Sequence, residues 1–286
     1  MSRVFCVFYL GSRPPGRVDS DCCVPSRAVI EYCRYNIRGN DPFGNTSGRS
    51  CFKEIERQTE TMVPIYNSKA AERIIQKYAG VISEISACCG LPAPFLQAIL
   101  FQEITQIDLI DLLVDGVVRL NWMTYTLRER VTGGNGPDKA MNRGRSLRRK
   151  LDSSTGYAQI FAFVAINAVN FAVERGLITY EDLGIQADYT LDPDLPADCR
   201  YMWNRLNRDR VFNLKAAALN LIAAAEEVTG RIEFGGYSAE EVKRIFTRYN
   251  GTMKQISPYG EEAYRHYLRY AGRGEEVLRD LDRNNR

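Results

Sequence analysis

The sequence predicts a mainly α-helical fold, and three observations carry that prediction. Apolar residues recur at helical spacing from about residue 67 to about residue 270. Start and stop signals frame those stretches: Ser238 with Glu241 makes a capping-box pattern, Ser257-Pro258 reads as an N-cap followed by a first-turn proline, and Gly90 and Gly230 stand where helices end. The first 65 residues differ in texture, being rich in Gly, Pro, Arg, Asn and Cys and lacking sustained periodicity. The expected organisation is an irregular Cys-rich segment over 1–65 and one helical domain over 66–286.

The elements follow in order. Val4 to Leu10 is an apolar run behind a single arginine. It is short for a signal peptide and lacks a clean small-residue cleavage site, so it reads as a strand or packing segment. A helix is expected over 68–89, stopped by Gly90 and Pro92, and another over 93–107, with 108–131 as its continuation or a separate helix. Residues 132–150 form a Gly-rich, basic break. A strongly apolar helix is expected over 157–175, and the Pro- and Asp-rich stretch 185–200 reads as loop. Helices over 214–228, 238–249 and 257–270 complete the chain, with no internal repeat and no low-complexity tract.

Composition narrows the chemistry. Lys and Arg total 38 against 35 Asp and Glu, a net charge of +3, so bulk charge gives no argument for nucleic acid. No run approaches the ~20 apolar residues of a membrane span. His266 is the only histidine, which disfavours Ser-His-Asp, Cys-His and most zinc-hydrolase designs, and no metal or cofactor is expected. Five of the eight cysteines lie in the first 51 residues, which fits at least one disulfide between Cys6 and Cys51 formed outside a reducing cytosol. Cys88 and Cys89, inside a helix, read instead as buried free thiols. The basic run Arg143 to Lys150 reads as a solvated loop, since no aromatic residues interleave it as a stacking platform would require.

One carboxylate stands on the wrong face. In the helix over 93–107, Leu96, Ile99, Leu100 and Ile107 form an apolar stripe, and Glu103 follows Leu100 by three and Ile99 by four. Glu103 is therefore expected to face the core, where burial raises a carboxyl pKa. A glutamic acid that stays protonated near neutral pH is what glycosidic cleavage needs to protonate a leaving sugar oxygen. The alternative is a structural salt bridge with an arginine of the basic break.

Four segments behind Glu103 extend the pattern: Asp152-Ser153-Ser154-Thr155-Gly156-Tyr157-Ala158-Gln159-Ile160, then Asn213 to Ile222, Ile245-Phe246-Thr247-Arg248-Tyr249-Asn250-Gly251, and Tyr259 to Tyr267. In this order they resemble the Ser-rich turn with Gly-x-x-Gln-Ile, the Asn-opened helix, the Tyr-Asn-Gly element and the closing helix of the lysozyme-like superfamily, in particular soluble lytic transglycosylases and goose-type lysozymes. The resemblance covers about residues 68–270. It implies a lysozyme-like helical domain that binds peptidoglycan glycan strands. Glu103 would be the catalytic acid and then base, Gln159, Ser154 and Gly156 would hold the sugar, Tyr249 would place its hydroxyl near the Glu103 carboxyl, and Asn250 would bind the sugar flanking the scissile bond. The chain departs from the family in carrying Ile104 where a serine often follows the acid. It also has long insertions before Gln159 and over 177–212.

A muramidase that inverts needs a second carboxylate to activate water, whereas a lytic transglycosylase needs one Glu. Asp108, Asp111, Asp115 and Asp152 are the candidates for a second acid. The first three read as a solvated acidic face and Asp152 as a helix-start cap. The expected activity is therefore lytic transglycosylation, secreted or delivered to a bacterial periplasm or cell wall as an effector or lysin, with an inhibitor (immunity) protein as the expected partner in a toxin setting. The alternatives are a hydrolysing muramidase and a non-catalytic helical protein binding cell wall or nucleic acid.

Overall fold

The computed structural model describes residues 64–132, 151–186, 189–251 and 255–273, all within the unit Glu56–Arg286. The N-terminal apolar run, the cysteines from Cys6 to Cys51 and the basic run 143–150 lie outside the described residues. The described part is mainly α, with nine α-helices, one 3-10 turn and a single isolated bridge between Thr155 and Ile160. The helices are α1 Ser68–Lys77, α2 Ala79–Cys89, α3 Ala93–Gln106, α4 Leu109–Thr132, α5 Ala162–Glu174, α6 Pro196–Arg208, α7 Arg210–Thr229, α8 Ala239–Tyr249 and α9 Pro258–Tyr270.

Two helices form the centre. Nine of the fourteen residues of α3 are buried, from Phe95 to Ile104, so it is apolar nearly all round rather than along one stripe. In α7 burial runs similarly from Phe212 to Ala225. The two touch each other; α1, α2 and α9 cover α3, and α2, α5, α6 and α8 cover α7. Trp203, Phe212, Phe246 and Met202 are among the largest fully buried side chains. Each such side chain is worth about 1.5–3 kcal/mol when buried.

Local chemistry explains the boundaries. The helix expected over 68–89 is two helices, interrupted at Tyr78, which leaves helical geometry at φ −100°, ψ 11°. Gly90, in the left-handed region, ends α2. Residues 93–131 are likewise two helices, not one. Asp108 starts the second: its Oδ1 accepts from the backbone N–H groups of Ile110 and Asp111, and Asp111 Oδ2 accepts from the N–H of Asp108. The apolar helix starts at Ala162 rather than at 157, because 156–159 form a tight turn. The stretch read as loop over 185–200 contains the first turn of α6, opened by Pro196. The Ser238–Glu241 capping box and the Ser257 cap are present at α8 and α9. Cys88, Cys89 and Cys199 are free thiols, but Cys88 is exposed and Cys89 half-buried, contrary to the buried pair expected.

Candidate active site

Glu103 lies near the C-terminal end of α3, 8 % exposed. Its surroundings come from three other elements. The Tyr259 hydroxyl, from the first turn of α9, donates to Glu103 Oε1 at 2.5 Å. Burial pushes the Glu103 carboxyl from its ordinary 4.5 to about 8; the Tyr259 hydrogen bond opposes this and the Asp111 carboxylate adds to it. The group is therefore largely a neutral acid at pH 7. Ile104, in the place of the serine often found there, is fully buried, and the Thr105 hydroxyl donates back to the carbonyls of Phe101 and Gln102 on its own helix.

Tyr259 owes its place to a close helix–helix seam. Ser257 caps α9, its Oγ accepting from the Gly260 N–H at 3.2 Å, and its own N–H donates to Thr247 Oγ1 at 3.1 Å. Gly260 lies against α8 so tightly that a Cβ there would fall 2.1 Å from Thr247 Oγ1 and 2.6 Å from the Lys243 carbonyl oxygen. Only glycine lets the first turn of α9 sit there and bring Tyr259 onto Glu103.

The turn 155–160 is the second component. Thr155 and Ile160 close it with paired backbone bonds. Gly156 has φ +76°, and a Cβ on it would overlap the Asn213 side chain, 2.2 Å from Nδ2. Gln159 also takes a left-handed φ, +44°, unusual for a side-chain-bearing residue. Its Nε2 donates to the Gly156 carbonyl at 2.8 Å, which offsets part of that cost. Asn213 clamps the turn from α7: Nδ2 donates to the Thr155 carbonyl and Oδ1 accepts from the Ala158 N–H. Asn213 does not open α7, whose N-cap is Asp209; it sits in the first turn, wholly buried. The Ala158 carbonyl accepts from the Tyr249 hydroxyl at 2.9 Å.

Tyr249 lies within electrostatic reach of Glu103, and its hydrogen bond goes elsewhere. Its hydroxyl donates to the turn, and the direct partner of Glu103 is Tyr259. Tyr249 is still close enough to be affected: burial first, then the charge of Glu103, holds its hydroxyl pKa well above the ordinary 10. Asn250 is exposed and ends α8 as its C-cap, followed by Gly251 at φ +97°. Ser154 is half-buried between Ser153 and Thr155, both of which bond inward.

The four candidates for a second acid all have bonded partners. Asp108 and Asp111 cap the start of α4, so they are not a merely solvated face. Asp115 is half-buried: Ser153 Oγ and Thr155 Oγ1 each donate to it at 2.7 Å, and Asn207 Nδ2 donates at 3.0 Å. Burial raises its pKa, while those hydroxyl bonds work against the rise. Trp203 Nε1 donates to Ser153 Oγ, so α4, α6 and the segment leading into the turn share one network. Asp152, 1 % exposed, accepts from the N–H groups of Ala162 and Phe163 and caps α5 from ten residues away. Sequence reasoning missed Tyr259, Asn207 and the roles of Ser153 and Thr155. Their partners lie 38 to 156 residues away, and no local pattern announces such contacts.

Among the described residues no group of three or more His, Cys, Asp or Glu could hold a metal ion, and no helix is long and apolar enough to cross a membrane. Fold and site together define a mainly helical protein with a buried, proton-retaining glutamate beside a side-chain-clamped turn. No family model, no curated protein and no solved structure matches the chain.

Proposed function

We propose that the chain is a lysozyme-like enzyme that cleaves peptidoglycan glycan strands between N-acetylmuramic acid and N-acetylglucosamine, as a lytic transglycosylase with Glu103 as its one catalytic carboxyl group. The observation that carries this is the Glu103–Tyr259 pair: a buried carboxyl with pKa about 8, held in one orientation by a phenol. With Oε1 accepting from Tyr259, Oε2 carries the proton. It passes to the glycosidic oxygen as the bond to the anomeric carbon breaks; the C6 hydroxyl of the same sugar attacks that carbon, and its proton returns to Glu103. The product end is 1,6-anhydromuramic acid, and the acid is regenerated. The turn carrying Gly156 and Gln159, fixed by Asn213 and Tyr249, would present the sugar. Ser154 and Asn250 would contribute from its flanks.

The structural bonds of the four candidate aspartates favour one carboxylate over two. A hydrogen bond donated to a carboxylate stabilises its charged form and makes it a weaker base. Asp108, Asp111 and Asp152 hold helix starts, and Asp115 accepts three hydrogen bonds. The setting that fits is a secreted or delivered wall-degrading effector or lysin, with an inhibitor protein covering Glu103 as the expected partner if it acts as a toxin. Digestion of purified peptidoglycan by wild type and Glu103→Gln, with mass spectrometry of the products, tests the reading. The expected result is anhydromuramoyl fragments from wild type and a loss of about 10²–10⁴-fold in the variant. Reducing-end products would make the enzyme a hydrolase. Undiminished activity of Glu103→Gln would remove Glu103 from the chemistry, and no cleavage by wild type would leave a helical binding protein.

A further inference from the structure

Helix α4 is apolar on two opposite faces. Val118 and Trp122 are buried in the core cluster. Leu109, Leu112, Leu120 and Met123 are instead 51 %, 50 %, 37 % and 58 % exposed. At about 100° per residue these four and Gly116 fall within one stripe about 80° wide, with Val118 and Trp122 on the far side of the helix. The steps along the stripe are 3, 4, 4 and 3 residues, the alternation of a helix-pairing seam. Apolar side chains scattered singly on a surface need no explanation, but a continuous stripe does. No charged side chain interrupts it. Arg119 stands at its edge, bonded to Asn207.

The stripe is its own complement. Leu112 and Leu120 each lie four residues from Gly116, and Leu109 and Met123 each lie seven. Laid antiparallel on a second copy with a two-fold axis at Gly116, Leu109 meets Met123, Leu112 meets Leu120, and glycine crosses glycine. Glycine inside a helix costs stability, and among the described residues nothing requires one at 116. A Cβ there would meet nothing within 4 Å, whereas one at Gly156 or Gly260 would collide with neighbouring atoms. The missing side chain leaves room for a second backbone to approach. Between Leu109 and Met123 the stripe runs about 21 Å on a helix about 10–12 Å across. Two copies would bury on the order of 1,000 Å² in total, the lower end of specific interfaces. We propose that this face of α4 is the interface of a two-fold dimer, in which α4 packs antiparallel on α4 of a second copy about Gly116. Two-fold pairs are the commonest assembly, and an uncharged stripe lacks the basic groups that a nucleic acid or an anionic surface would need. The proposal stands on α4 alone and does not depend on the glycan-cleaving reading.

Sedimentation equilibrium of the full chain over about 1–300 µM tests the pairing, since a contact of that area should give a reversible dimer with Kd on the order of 10 µM. Leu112→Glu and Leu120→Glu each place a carboxylate in the apolar seam and should weaken the dimer roughly tenfold or more. Both positions are exposed in the single copy, so circular dichroism and thermal unfolding of dilute protein should match wild type. The double variant Leu112→Lys/Leu120→Glu sets each lysine against a glutamate of the other copy. It should regain much of the lost affinity if the helices run antiparallel about Gly116. A parallel pair would instead set lysine on lysine. A chain that stays monomeric across the whole range overturns the proposal, whether another part of the same chain or a different partner covers the stripe. A dimer that both glutamate variants leave intact overturns it too, as does one that the double variant fails to restore.

Discussion

Glu103 and Tyr259 set opposite pulls on one proton. Burial favours the neutral acid, while the phenol hydrogen bond favours the carboxylate. Removing the phenol in Tyr259→Phe leaves burial unopposed. The Glu103 pKa should then rise further above about 8, which carbon-13 NMR of labelled glutamate can follow whether or not the protein cleaves glycan. The alkaline limb of any activity profile should move the same way, and the rate near neutrality should fall because a weaker acid donates less readily. An unchanged or lower pKa in Tyr259→Phe would show that the hydrogen bond does not act on the carboxyl. At this scale the sequence was partly readable. The i−3 and i−4 neighbours of Glu103 are Leu100 and Ile99, and they place it on a buried face. The identity of its partner was not readable, since Tyr249 and Tyr259 are both aromatic residues of late helices and only packing decides which hydroxyl arrives.

The turn 155–160 and the α8–α9 seam carry the geometry at the scale of elements. Gly156 is required twice, by its φ of +76° and by the Asn213 amide lying where a Cβ would go. Gly156→Ala should therefore displace Asn213 and release the Thr155 and Ala158 bonds. The expected cost is about 2–4 kcal/mol, a sum of left-handed strain and lost buried hydrogen bonds, measurable by denaturant unfolding. Hydrogen exchange at Ala158 should speed up. A variant as stable as wild type, with a protected Ala158 amide, would show that the clamp is dispensable. The sequence signalled these elements unevenly. Capping patterns such as Ser238–Glu241 are local and were legible, and the start of α6 was hidden because Pro- and Asp-rich composition marks loops and helix starts alike.

The whole molecule bears the cost of its buried acid. The Glu103 pKa is about 8 in the folded protein against 4.5 for an ordinary glutamate. Between those values the unfolded chain has released the proton that the folded chain retains, so stability falls as pH rises from about 4.5 to about 8 and levels off above that. Glu103→Gln keeps the shape and removes the titrating group. It should match wild type near pH 4.5 and exceed it at pH 8–9, by an amount on the order of 4 kcal/mol. Thermal unfolding of both proteins across that range checks this. A pH-independent difference would mean that Glu103 is not held protonated by the fold. Stabilisation on removal is what a functional rather than structural buried carboxyl should show.

What the sequence determined by itself was the α class of the described chain, most helix ends, and the burial of Glu103. Each follows from interactions within about four residues, where periodicity and capping are local facts. The tertiary structure decided the rest: that Tyr259 hydrogen-bonds Glu103, that Asn213 and Tyr249 clamp one turn from two helices, and that Asp115 is bonded by Ser153, Thr155 and Asn207. These contacts join residues dozens of positions apart. Their energies depend on which helix faces pack together, and spacing along the chain does not encode that.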